Sequence, residues 1–406
     1  MEPKTRGERM LALRYARMAA APPFLRGGFR PFFFGGTAWA VIALLIWLHS
    51  LGSGASLPSS FDPLAWHRHE MLFGFVGAII AGFLLTAVPN WTGRLPIAGY
   101  PLAALFLLWL AGRLAVLFSA EIGPLAAAGI DVGFFMVLAG LAGREVLEAN
   151  NRNFPVVGLI FLFGLANAVD HLAAAGRLAD PDLGWKCAVA LVTILISLIG
   201  GRIIPSFTRN WLAKQGLSDG LPTQPGRFDT AVIVSTALAF LAWITAPSGW
   251  LTGILFAAAA AGQAVRLARW KGWKTFADPL VLILHVGYLW IPIGLGLLAA
   301  VDLGAPIPRS AAIHALTAGA MSTMILAVMS RASLGHTGRE LRASAMTQLA
   351  YLLVTLGALL RITAPLGLLE YRLGIEVAGT AWIAALLCFL GAYAPVLLGP
   401  RIDGKL

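Results

Sequence analysis

The sequence predicts an all-α polytopic membrane protein with about 12 transmembrane helices. Three observations carry that prediction. Hydrophobic residues make up 58% of the 406 residues and charged residues only 12%, against roughly 45–50% and about 25% in a soluble domain. The apolar residues fall into runs close to the roughly 20 residues that a bilayer span requires. The basic residues gather in every second loop. Together these exclude a soluble enzyme, a disordered chain and a nucleic-acid binder, and they make membrane lipid the expected surroundings.

Residues 1–31 are read as a basic cytoplasmic N-terminal segment. They hold no apolar core before Pro22 and Pro23, so no cleavable signal peptide is evident. Residues 32–399 are read as a single membrane domain. Its spans lie near 32–50, 67–89, 101–118, 124–142, 155–175, 185–204, 229–247, 249–267, 279–300, 311–330, 345–363 and 376–398. Apolar on all sides, these runs must be helices, because lipid cannot satisfy open backbone groups. Residues 400–406 form a cytoplasmic tail. With the N-terminus inside, only Arg68, Arg113, Arg177, Lys186, Arg309, Arg361 and Arg372, of 30 basic residues, fall on the outer side. Both termini are therefore expected in the cytoplasm. The net charge of +11 speaks of topology rather than of an acidic partner. Cys187 and Cys388 sit in separate runs with no C-x-x-C pattern. That argues against a disulfide framework, a zinc site and covalently attached haem.

Three cytoplasmic exits are alike. The second span leaves as TAVPNWTGR (Thr86 to Arg94), the sixth as RIIPSFTRNW (Arg202 to Trp211), and the tenth as AVMSRASLGHTGR (Ala327 to Arg339). They recur every four helices, which suggests three four-helix units. The haem–copper oxidase catalytic subunit offers an analogy for such an arrangement. The alternative is that any cytoplasmic exit attracts Pro, Trp and Arg.

The polar residues of the spans carry the chemistry. His67 and His69 open the second span on the outer side, and His171 and His314 lie near the outer ends of the fifth and tenth. His49 ends the first span on that side; His285 lies deeper in the ninth, and His336 at the cytoplasmic exit of the tenth. One histidine in a span is most often an interfacial residue with a hydrogen bond. Several at one depth on several helices point to a metal or haem, since imidazole suits both iron and copper. Residues two apart on a regular helix diverge by about 200°, so His67 and His69 are expected to serve two neighbouring sites. Glu70 is a candidate to accept an imidazole N–H or to deliver protons. Asp170 is a candidate to orient His171 or move protons, and Asp131 is a buried carboxylate that Arg113 could pair. Gly74, Gly77 and Gly82 would admit a flat ring or, as the commoner use, another helix. Met321, two turns below His314, is either a soft ligand or packing. At the cytoplasmic exits Arg202, Thr208, Arg209, Asn210, Arg331, His336, Thr337 and Arg339 form either an anion or propionate clamp or a set of topology signals and caps.

The chain resembles the NnrS family over nearly its whole length. The resemblance rests on GFRPFF (Gly28 to Phe33), WHRHEMLFGF (Trp66 to Phe75) and AGFLLTAVPNWTGR (Ala81 to Arg94). It continues through GGRIIPSFTRN (Gly200 to Asn210), DPLVLILHVGYLWIPIG (Asp278 to Gly294), IHALTAGAM (Ile313 to Met321) and MSRASLGHTGR (Met329 to Arg339). It implies a bacterial inner-membrane protein that contains haem and copper and helps cells tolerate nitric oxide. His67, His69, His285, His314 and His336 lie in the matching stretches; His171 matches more loosely and His49 falls outside them.

The leading expectation is a protein that binds nitric oxide at a noncovalent haem b and at copper, with reductase-like turnover as an open question. His67, His69, His171, His285 and His314 are the expected metal ligands. Haem contacts are expected from His67, His69, His314, Arg202, Arg331 and His336. Glu70 and Asp170 are the expected catalytic groups. The expected partners are nitric oxide and an electron donor of unknown identity. Two rival readings stay open: a 12-helix secondary transporter, with Pro292 and Gly294 interrupting a span, and a haem-based nitric oxide sensor or carrier without turnover.

Overall fold

The computed structural model describes residues 6–246, 249–367 and 370–404, and among the described residues there is no strand. A short helix, α1 (Arg6–Ala20), precedes the apolar part of the chain. Twelve helices long and apolar enough to cross a membrane follow. They are α2 (Phe29–Ser53), α3 (Pro63–Thr92), α4 (Tyr100–Leu117), α5 (Pro124–Glu148), α6 (Phe154–Ala174) and α7 (Leu183–Lys214). The second six are α8 (Arg227–Thr245), α9 (Trp250–Lys274), α10 (Pro279–Asp302), α11 (Arg309–His336), α12 (Ala345–Leu366) and α13 (Tyr371–Leu398). The protein is thus a multi-pass helical membrane protein, as the apolar runs predict. The largest departure is α7, which continues to Lys214, past the expected end at 204. Arg202, Arg209 and Lys214 end the apolar run there but not the helix, because a helix satisfies its own backbone as well in water as in lipid.

Local chemistry fixes the helix ends. Asp62 caps α3, accepting from the Leu64 and Ala65 N–H groups at 3.0 Å each, with Pro63 in the first turn where no N–H is needed. Gly93, at φ 68°, ends it, a left-handed turn that glycine adopts without strain. Two of these helices contain π-helical stretches, at Glu70–Val76 in α3 and Ala315–Met321 in α11. Each begins directly after a histidine, His69 and His314. The three similar exits share one device: Thr92, Thr208 and Thr337 each donate to the carbonyl four residues earlier, at 2.8, 2.9 and 2.6 Å.

The chain divides into two compact units. Unit one holds Met1–Ala188, Ala332–Glu340 and Leu390–Leu406. Its core is aromatic: Phe32, Phe73, Phe134, Trp66 and Trp109 are fully buried. The Phe73 and Phe163 rings lie 5.0 Å apart, and Phe135 and Phe163 lie 5.3 Å apart. The glycines of α3 serve this packing. A side chain at Gly77 would come within 2.7 Å of Phe135, and one at Gly82 within 2.8 Å of Phe33. At Gly77 and Gly82 the close neighbour is thus an aromatic ring of another helix, whereas Gly74 adjoins the Glu70, Arg113 and Trp39 side chains.

Unit two holds Val189–Arg331 and Leu341–Phe389. Close approach of α10 and α11 depends on Gly287 against Met324, Gly294 against Leu316 and Gly319 against Trp290. A buried polar network crosses its helices. Arg266 donates to Asp229, to the Ser197 hydroxyl and to the Tyr288 hydroxyl, and Tyr288 donates onward to Gln263.

Candidate metal centre

In unit one, α3, α4, α5 and α6 bring a set of buried polar side chains to a common point. His69 and Glu70 sit where α3 passes into its π-helical stretch. Arg113 lies near the end of α4 and Asp131 two turns into α5. Asn167, Asp170 and His171 follow at spacings of three and four on α6, which places them on one helix face. His69, Glu70, Arg113, Asp131 and Asn167 have no solvent exposure at all, and Asp170 and His171 are nearly as buried.

His69 is held from both sides. Its Nδ1 lies 2.9 Å from Asp170 Oδ2 and its Nε2 lies 2.9 Å from Asp131 Oδ2. The same Asp131 oxygen lies 3.1 Å from His171 Nε2 and accepts from Asn167 Nδ2 at 2.9 Å. Arg113 donates to both oxygens of Glu70 at 2.9 Å and to Asp131 Oδ1. The Trp39 indole N–H donates to Glu70. Phe61 and Phe73 wall the site, with ring centroids 4.7 and 5.1 Å from His69.

Two physical arguments make this a candidate cation site. The first is charge. Three carboxylates, Glu70, Asp131 and Asp170, face one guanidinium, Arg113. Minus three plus one leaves a formal charge of minus two, which is costly out of water. Two protons on the imidazoles or one divalent cation would balance it. The second is orientation. When His69 Nδ1–H donates to Asp170, its Nε2 lone pair faces Asp131 and His171, the carboxylate–histidine arrangement that prepares an imidazole to bind a metal. One ligand atom each from His69, Asp131 and His171 lies within 4.8 Å of the others. Two imidazole nitrogens and a carboxylate oxygen, with no thiolate, suit copper, zinc, nickel or non-haem iron.

The expected site residues distribute as follows. His69, Glu70, Asp170 and His171 meet in this cluster. His67 does not join it; its ring stacks on Trp47 with centroids 4.1 Å apart and planes at 21°, as the two-residue spacing from His69 requires. In unit two, His314 Nδ1 lies 2.7 Å from the Ser310 carbonyl. That contact makes Nδ1 the protonated nitrogen; the residue is half-buried. His285 Nε2 lies 2.9 Å from the Thr208 hydroxyl. Because that hydroxyl donates to Ile204, His285 donates to it and keeps the Nδ1 lone pair. This Nδ1 is buried without a hydrogen bond, and a side chain at Gly272 would come within 2.6 Å of it. Met321 is buried. Arg331 lies over the Phe207 ring at 4.1 Å, Arg202 is exposed, and His336 lies beside Phe29 in unit one at 5.6 Å.

Asn167 and Trp39 belong to the site and are absent from the sequence-based set. Asn167 was legible, since N-x-x-D-H on a helix puts all three polar residues on one face. Trp39 has no such signal, because its indole N–H reaches Glu70 only through the packing of α2 on α3.

Residues 23–401 match a family model described as NnrS protein. No curated protein matches the chain.

Proposed function

The chain belongs to the NnrS family, and from that premise we propose that it binds copper and haem in the bacterial inner membrane and captures nitric oxide there. The observation that supports this reading most directly is the His69–Asp131–His171 constellation with Asp170 behind His69. In this reading His69, His171 and Asp131 hold copper, and His314, with its Nδ1 committed to Ser310, holds haem iron through Nε2. The bound metals would supply the redox chemistry and the affinity for nitric oxide. The chain's own residues would do the rest. Asp170 orients His69. Arg113 fixes Glu70 and Asp131 by paired charge-assisted hydrogen bonds. Phe61 and Phe73 keep water from the imidazoles. Glu70 and Asp170 are the groups that would hold protons, which reduction of nitric oxide consumes along with electrons from a donor. Nitric oxide is small and apolar enough to arrive through lipid, so the site needs no aqueous channel. The distribution of basic residues supports a cytoplasmic position for both termini.

The test is haem and copper content of the purified full-length protein, with an absorption spectrum. Copper is expected to fall below one tenth of wild type in His69→Ala and His171→Ala with the Soret band kept. His314→Ala should lose the Soret band and keep copper. Copper retained in both helix-cluster variants would overturn the copper assignment. Nitric oxide consumption with a reductant then separates turnover from capture.

A second reading has its own support. Every ring nitrogen of His69 already has a carboxylate partner, so two protons could balance the cluster without any metal. Buried ion chains of this kind serve proton-coupled transporters. Wild-type protein free of copper and haem after expression in metal-replete, haem-producing cells would favour that reading.

A further inference from the structure

Unit one contains a second charged feature, away from the metal cluster. A cavity of about 180 Å³ opens where α2 and its preceding glycines meet the last turns of α3. Its walls include Arg26, Arg30, His336 and Arg401, with Thr86 and Asn90 among the remaining lining residues. Helix ends, not helix middles, form it, so it lies at the depth of lipid headgroups.

Two of these cations, Arg30 and Arg26, have no carboxylate partner among the described residues. Arg30 is 2% exposed. Its NH1 donates to the carbonyls of Val396, Leu397 and Gly399, at 3.3, 2.9 and 2.6 Å. Among the described residues, no hydrogen bond engages its Nε or NH2 and no carboxylate pairs with it. Arg26 spends Nε on the Ala21 carbonyl and NH2 on the Ala19 carbonyl, again without a carboxylate. Arg401 alone has an acid, Asp403, at 2.6 Å. The charge of Arg339 also bears on Arg30. The positive end of the 25-residue helix α2 also begins at this cavity. A buried guanidinium that lacks an acid is costly, and here Arg30 lines a cavity.

We propose that this cavity binds a phosphate group, either the headgroup of an anionic phospholipid or free inorganic phosphate. Guanidinium forks match tetrahedral oxyanions with paired hydrogen bonds. The volume is below the roughly 300–1,000 Å³ of pockets that enclose drug-sized ligands, a size that suits a phosphate group. Basic pockets between membrane helices on the cytoplasmic side are where such headgroups bind. A lipid held there would tie the N-terminal segment, through Arg26, to the α3 and α11 ends.

The test uses full-length protein in detergent, wild type and Arg26→Gln/Arg401→Gln. Arg30 is left intact because it also holds the α13 carbonyls. Binding of dioleoylphosphatidylglycerol, dioleoylphosphatidylcholine and inorganic phosphate is measured separately by native mass spectrometry and thermal shift. Wild type should bind phosphatidylglycerol in preference to phosphatidylcholine, and the double variant should bind it about thirtyfold more weakly. Binding of inorganic phosphate alone, lost in the variant, would keep the site and assign it to the soluble anion. Equal binding of the two lipids without any phosphate effect, or unchanged affinity in the variant, would overturn the proposal.

Discussion

Arg113 is the residue on which the cluster's charge balance turns, so Arg113→Met offers the sharpest test of how the site is built. Methionine keeps much of the volume and removes the charge. The side chain has no exposure, makes two hydrogen bonds of 2.9 Å to Glu70 and one to Asp131, and is the only guanidinium among the groups of the cluster. Its removal leaves Glu70, also without exposure, with the Trp39 N–H as its remaining donor. Breaking a buried pair by removing one partner typically costs about 3–5 kcal/mol, because the other charge stays behind. In a unit of roughly 200 residues each kcal/mol is worth about 2–4 °C, so the midpoint of thermal unfolding in detergent should fall by roughly 6–20 °C. The informative control is Arg113→Met/Glu70→Gln. It removes the stranded carboxylate and keeps an acceptor for Trp39, and it should recover at least half of the loss. An unchanged midpoint in Arg113→Met, or a second loss of similar size when Glu70→Gln is added, would refute the argument that charge pairing holds these helices together.

Three further outcomes follow from single contacts. Asp170→Asn should keep the fold but weaken copper about 10- to 100-fold, the usual cost of losing a carboxylate behind a ligating imidazole, as read by chelator competition. Gly184→Ala places a methyl 2.5 Å from the Asp170 backbone; it should push α6 from α7 and reduce copper content as strongly as His171→Ala, and unchanged copper content would refute the need for this close approach beside His171. Thr208→Val leaves the buried His285 Nε2–H without its acceptor and should cost about 1–3 kcal/mol in thermal unfolding, while Thr208→Ser keeps the hydroxyl and should not.

Much of the fold was legible in the sequence. Span length and apolarity alone located all twelve membrane helices to within a few residues at most ends, because lipid leaves no other way to satisfy the backbone. Where α7 outran its span, the apolar run had stopped at Arg202 but the helix had no reason to. The site was legible in part. Costly residues inside spans drew attention to His69, Glu70, Asp131, Asp170 and His171, and the 200° divergence correctly sent His67 and His69 in different directions. The pairing itself was not legible. Nothing in the sequence says that Asp131 of α5 lies between His69 of α3 and His171 of α6, since that depends on which helix faces pack. Nor does it place Arg26 and Arg401, at opposite ends of the chain, on one cavity.

The hydrogen bonds of the metal cluster already form a continuous chain, from Trp39 through Glu70, Arg113, Asp131 and His69 to Asp170. Each link is a charge-assisted contact between different helices or adjoining turns, so the imidazoles are positioned before any metal arrives. Such preorganisation lowers the cost of assembling ligands, but it does not come free of competition. His69 Nε2 and His171 Nε2 both point at one oxygen of Asp131, and a proton satisfies each of those contacts as a metal would. A cation entering here must displace protons from nitrogens that the protein has placed against a carboxylate. The same arrangement that fixes the geometry therefore couples metal occupancy to proton release. The π-helical stretch of α3 begins at Glu70, inside this network. A regular α-helix would turn Glu70 about 100° from His69, yet both side chains must reach the neighbouring α4–α6 wall, one through Arg113 and the other directly. Consecutive residues of α3 thus serve one network where the helix widens, and such π-helical turns are frequent at functional sites.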